Sequence, residues 1–153
     1  MNPQIVPRYP TSVAAKAVGE SRTVLDHWCA RRVFRMEPND EDAAGHGRPR
    51  RWSRRTIQKL GIMSALTAIG LTPARAHSAS EFALREMERC PVEGGRMYLA
   101  VQGSKSRLFI LPQGQNFEDA FNEISDGVGS AAAIVDLTRT FSKIDSVLDT
   151  MKD

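Results

Sequence analysis

Ile57, Leu60, Met63, Leu66 and Ile69 recur at every third position, with Ile62 beside them. Gln58, Lys59, Ser64 and Thr67 fall away from that stripe. This spacing predicts an amphipathic helix of about four turns. Ser53 caps its start, and Gly70 stops it. Thr72-Pro73 then opens another helix, with Thr72 as the cap and Pro73 at the first helical position. That helix runs in part or whole to about Arg89, before Cys90-Pro91 ends it. An apolar stripe this long needs a partner surface, so the rest of the chain must supply one.

The same stretch, RRWSRRTIQKLGIMSALTAIGLTPARA, has the outline of a twin-arginine export signal. Arg54-Arg55 precede an apolar run from Gly61 to Leu71, and Ala74-Arg75-Ala76 follows. On that reading the chain is an exported enzyme or binding protein with a new N-terminus near His77. Ser64 and Thr67 interrupt the run, however, and it begins behind another helical pattern. The helical reading is preferred, with a cytoplasmic, nucleoid-associated location expected. No apolar run approaches roughly 18 residues, so no transmembrane helix is expected.

The 153-residue chain carries a net charge of +3, unevenly placed. Fifteen of its 21 Lys and Arg lie in residues 1–90, against nine of its 18 Asp and Glu. The front is therefore basic and the back acidic, which points the front toward a polyanion. Cys29 and Cys90 have no redox or metal-ligand spacing, and His27, Cys29, His46, His77 and Cys90 form no ligand set. No metal and no cofactor are expected.

Residues 1–10, with Pro3, Pro7 and Pro10, read as a flexible extended arm. Thr11 or Ser12 can cap a short helix, Val13 to Val18, which Gly19 ends. Ser21 caps a second helix from Arg22 to about Arg32, whose apolar face is Val24, Leu25 and Trp28. Helix, glycine-containing turn, helix is the helix-turn-helix pattern. Val33–Met36 is apolar enough for a strand, and Glu37–Pro49 is an acidic, Gly/Pro-rich loop. Arg50-Arg51-Trp52 is the returning strand, so a hairpin with a long tip, a wing, is expected.

The segments VAAKAVGESRTVLDHW and RRWSRRTIQKLGIMSALTAIGL together resemble the MerR-type winged helix, also used by excisionase-like proteins. Gly19, Ser21, Leu25 and Trp28 fall on one part of that pattern. Arg51, Trp52, Ser53, Ile57, Leu60, Leu66, Gly70 and Leu71 fall on the other. The resemblance covers residues ~11–89. Asp26, His27 and Arg32 depart from it, standing where the family often has Arg, Tyr and Gly.

The resemblance implies DNA binding, and the residues suit it. A helix fits the major groove, and Ser21, Arg22, Thr23, Asp26, His27 and Arg31 lie on or beside the candidate reading helix. Arg22 can read guanine, while Asp26 can accept from cytosine or pair with Arg22 one turn away. Arg48, Arg50 and Arg51 of the wing suit the DNA backbone. Arg54 and Arg55 open a helix, where the dipole disfavours cations, and a phosphate docked there would explain them. Trp28 and Trp52 are expected in the core.

Residues 91–153 carry no enzyme signature. Met97–Val101 and Arg107–Leu111 read as strands joined by a Gly103-Ser104-Lys105 turn. Ala132–Asp136 is a third strand. A helix from Asn116 has Phe117, Ala120, Phe121 and Ile124 on one face. In the last helix Leu137, Phe141, Ile144, Leu148 and Met151 are spaced 4, 3, 4, 3, either as a dimer seam or as an internal face. Asp145 and Asp149 read as solvent-face acids.

The expected fold is mainly α with a β-hairpin wing (11–90), followed by a small α+β module (91–153) for dimerisation or partner contact. The expected function is a sequence-specific transcriptional regulator binding double-stranded DNA as a homodimer, not an enzyme. RNA polymerase or a recombinase is a candidate further partner, and no membrane is involved. The alternative is an excisionase-like architectural protein that directs recombination.

Overall fold

The computed structural model describes residues 6–43, 47–91, 93–116, 118–119, 122 and 132–151. Within them the chain is mixed α and β, with five helices making up roughly half and two small antiparallel sheets. Helices α1 (Thr11–Val18) and α2 (Arg22–Ala30) meet at a tight turn. Gly19 adopts φ 75°, the left-handed conformation that closes a helix. Ser21 caps α2 by accepting from the Val24 amide at 3.2 Å. Thr11 caps nothing, contrary to expectation. It is the first residue of α1, and its hydroxyl accepts from the Trp52 indole N–H at 3.0 Å.

The expected hairpin is replaced by a different pairing. Strand β2 (Arg51–Ser53) pairs antiparallel with β1 (Arg8–Pro10), which the sequence assigned to a flexible arm. Val33–Met36 forms no strand. The Val33 and Phe34 amides both donate to the Trp28 carbonyl, at 3.1 and 3.3 Å, so they are not free for a ladder. Arg32 turns the chain there with φ 54°, and Phe34 is buried, its ring 6.0 Å from Trp52 and 5.8 Å from His77. Further out, Glu41 and Arg51 form an isolated antiparallel bridge, exchanging backbone hydrogen bonds of 2.8 and 2.9 Å.

Helix α3 (Arg54–Ala68) starts at Ser53, whose hydroxyl accepts from the Thr56 amide, and α4 (Pro73–Arg89) starts at Thr72, as the caps predict. Ile57, Leu60, Ile62, Met63 and Leu66 are fully buried. Each such side chain contributes roughly 1.5–3 kcal/mol of transfer free energy. Ile69 ends the stripe at the helix C-cap and is 53% exposed. Lys59, placed on the polar side by its character, is buried at 1% exposure.

Beyond α4, β3 (Arg96–Gln102) pairs with β4 (Lys105–Leu111) on one side and β5 (Ala133–Asp136) on the other. The β3–β4 turn is Gly103-Ser104. The last helix, α5 (Leu137–Asp149), is capped by Asp136, which accepts from the Arg139 amide. Its Leu137, Phe141, Ile144 and Leu148 are buried in one core with Ala14, Ala17, Ile57 and Leu60, so that seam packs internally. Met151 is exposed. The helix expected from Asn116, with Phe117, Ala120, Phe121 and Ile124, falls largely outside the described residues.

Candidate nucleic-acid interface

Leu25 and Trp28 seat α2 on the core, and Val24 is half-buried beside them. The opposite face is open: Ser21, Arg22, Thr23, Asp26, His27 and Arg31 are all exposed. Amphipathic periodicity alone produces this split, because Leu25 and Trp28 are three apart and Arg22, Asp26 and His27 lie around the other side. The start of α4 lies beside this face. Val24, His27, Trp28, Arg31 and Val33 line a cleft of about 400 Å³ with Thr72, Pro73 and Ala74.

Among the described residues, Arg22, Arg31, Arg48 and Arg51 have no carboxylate partner. Arg48 and Arg51 are exposed. Arg50 is different. Its Nη1 donates to Asp26 at 2.9 Å and its Nε to Asp42 at 2.8 Å. Asp26 therefore pairs with Arg50 and not with Arg22 one turn away. The Arg50 hydrogen bond holds the Asp42 carboxyl below its ordinary range, and the same bond raises the Arg50 guanidinium further above its own. Cys29 backs this bridge, its thiol pushed up by burial while the Arg50 charge opposes that shift.

Arg54 and Arg55 also meet internal acids. Arg54 pairs with Asp145 and, at 2.8 Å, with Asp149, both on α5. Arg55 pairs with Glu88 on α4. Asp145 and Asp149, read from the sequence as solvent-face acids, are thus half of an interhelical contact. The start of α3 has no acid of its own in the first turn, but Asp40 supplies one from the segment between α2 and β2. Asp40 accepts from the Ser53 amide at 2.7 Å, the Thr56 hydroxyl at 2.6 Å and the Glu37 amide at 2.6 Å. Negative charge is favourable at a helix start, so the anion this terminus calls for is provided by the chain's own carboxylates.

One cluster escaped the sequence reading. Lys59 donates to Glu37, between α2 and β2, and to Glu81 of α4, the latter at 3.1 Å, and lies 5.3 Å from the centre of the Phe34 ring. His77 lies 3.4 Å from Glu81. A signal for this existed: Lys59, Ile62 and Leu66 share the i, i+3, i+7 spacing of one face. The cluster and Asp40 together fasten the segment between α2 and β2 to α3 and α4.

Among the described residues no group of His, Cys, Asp or Glu is arranged to hold a metal, and no helix is long and apolar enough to cross a membrane. Comparison with known proteins finds no family model and no curated protein that matches this sequence.

Proposed function

We propose that this protein is a sequence-specific DNA-binding transcriptional regulator of the MerR-like winged-helix kind. Helix α2 enters the major groove, and Arg48 and Arg51 follow the phosphate backbone. The observation that carries this reading is the free face of α2. A rigidly seated, well-capped helix presents Arg22, Thr23, His27 and Arg31 to solvent, and neither arginine has an internal acid to neutralise it. Side chains of this kind on a helix about as wide as the major groove are what base-edge recognition requires. Arg54 and Arg55 do not belong to this surface, because acids of α4 and α5 hold them. A second copy supplies the second half-site, since one nine-residue helix reads few base pairs. The buried seam of α5 is not available to that contact.

The test is to select bound fragments from genomic DNA, footprint the best site, and repeat the measurement with Arg22→Ala. The expected result is two protected half-sites separated by about one helical turn, ~34–36 Å, or a multiple of it. Arg22→Ala relaxes preference at one base pair by ~1–3 kcal/mol. Uniform weak protection of all fragments, unchanged by Arg22→Ala, would remove sequence reading from α2. Binding only at element attachment sites, and only with a recombinase, would move the protein to the architectural class.

A further inference from the structure

We propose that Arg50 is a positioning residue that fixes the wing to the reading helix, and that it makes no contact with DNA phosphate. This rests on the DNA-binding reading given above. Arg50 lies four residues before the start of α3, at the inner end of the wing, and its side chain is 24% exposed. Its two donor groups point to carboxylates on different elements: Asp26 on α2 at 2.9 Å and Asp42 on the wing segment at 2.8 Å. One planar guanidinium therefore sets the separation between the helix that reads bases and the segment that carries Arg48 and leads into Arg51 of β2. A guanidinium suits this because its donors are fixed in one plane, whereas an ammonium on a flexible stem gives a charge but no fixed spacing.

Electrostatics points the same way. Asp26 lies on the exposed face of α2, among Arg22, Thr23 and His27. An unneutralised carboxylate there would repel the phosphates flanking the groove. If Arg50 turned to a phosphate, it would leave both Asp26 and Asp42 unpaired beside a polyanion. Kept in place, it neutralises one of these charges and orders both. Arg48 and Arg51 have no such partner among the described residues and remain free for phosphate.

Salt dependence separates the two roles. Removing one phosphate-binding cation lowers the slope of log affinity against log salt by about 0.9. The experiment measures that slope for wild type, Arg50→Gln, Asp26→Asn and Arg51→Ala on a duplex carrying the selected site and on a random-sequence duplex. Arg51→Ala is expected to lower the slope by about one on both duplexes. Arg50→Gln is expected to keep the wild-type slope while weakening the selected site several-fold more than random DNA. Asp26→Asn should reduce discrimination in the same way, although it removes no cation. A slope lowered by about one in Arg50→Gln overturns the proposal. So does an Arg50→Gln protein that discriminates as well as wild type.

A second measurement works without DNA. In the free protein, the melting-temperature shifts of Asp26→Asn and Arg50→Gln should be non-additive in the double variant. Additive shifts mean the clamp is not formed in solution. If wild type binds neither duplex but the shifts are non-additive, the DNA-binding reading fails and the clamp stands as a structural feature only.

Discussion

Two residues carry conformational or electrostatic cost that a single substitution can reveal. Arg32 holds φ 54° with no glycine's freedom, at a position where the resembling family often has Gly. A side chain in this region costs on the order of 1 kcal/mol. Arg32→Gly should therefore raise stability by ~0.5–1 kcal/mol, less whatever glycine adds to the entropy of the unfolded chain. Chemical denaturation checks this, and a lower midpoint would show that the turn is not strained. His77 is the second. Burial pushes its pKa down from 6.5; Glu81 opposes that shift, and Lys59 adds to it. Burial works to raise Glu81, but the Lys59 hydrogen bond and charge outweigh it and hold it below 4.5. For both groups the unfolded chain binds protons more readily than the folded one. Stability is thus full above about pH 6.5 and falls as the pH drops, first through the His77 window and then below 4.5 through that of Glu81. Glu37, Glu81, Lys59 and Arg35 are the charges acting on His77. His77→Gln should abolish the upper step and leave the lower one in a melting-temperature profile.

At the scale of elements, what was legible in the sequence was local. Ser21, Ser53, Thr72-Pro73 and Gly19 each terminate or open a helix by chemistry within three or four residues, and each does so in the structure. The strand pair 96–102 and 105–111 is likewise local. What failed depends on long-range partners. Val33–Met36 has strand-like character, but its amides go to the end of α2 and its phenylalanine into the core. Nothing in the composition of Arg8–Pro10 says that it will pair with Arg51–Ser53, more than 40 residues on. The exposed face of α2 was legible because periodicity sets it; the pairing of Arg50, Arg54 and Arg55 was not, because Asp42, Asp145 and Glu88 arrive from other elements. The paired arginines of α3 yield a prediction at this scale. Arg54→Ala and Arg55→Ala should each cost about 0.2–1 kcal/mol of stability, as partly exposed ion pairs do. Asp145→Asn with Asp149→Asn should cost no more once Arg54 is already alanine. The salt slope of DNA binding should stay near wild type in the arginine variants; a fall of about one in each, or about two in the double variant, would return both residues to the phosphate backbone.

The whole molecule is more tightly joined than its charge pattern suggests. The basic front and acidic back are not merely adjacent, because α5 lies against α1 and α3 and shares their core. One close approach is at Gly61, in the middle of α3. A Cβ there would meet Ile144 Cδ1 at 2.5 Å and Thr140 Cγ2 at 3.4 Å. Glycine normally weakens a helix interior by roughly 1 kcal/mol relative to alanine, so its presence is explained by what α5 requires. Gly61→Ala should gain that propensity and lose more to overpacking, which typically costs ~1–3 kcal/mol, for a net loss. Ile144→Val alone should cost about 0.5–1.5 kcal/mol by leaving a small void. Together they should nearly cancel, because valine lacks the very methyl that the new Cβ strikes. The double variant is then more stable than the sum of its singles by ~1 kcal/mol or more. Thermal denaturation followed by far-ultraviolet and by tryptophan signals checks this. Trp28 and Trp52 both lie in the front half, so coincident transitions in every variant would show that the two halves unfold as one unit. Additive shifts, or a tryptophan transition unmoved by Ile144→Val, would mean that α5 does not bear on α3 in solution.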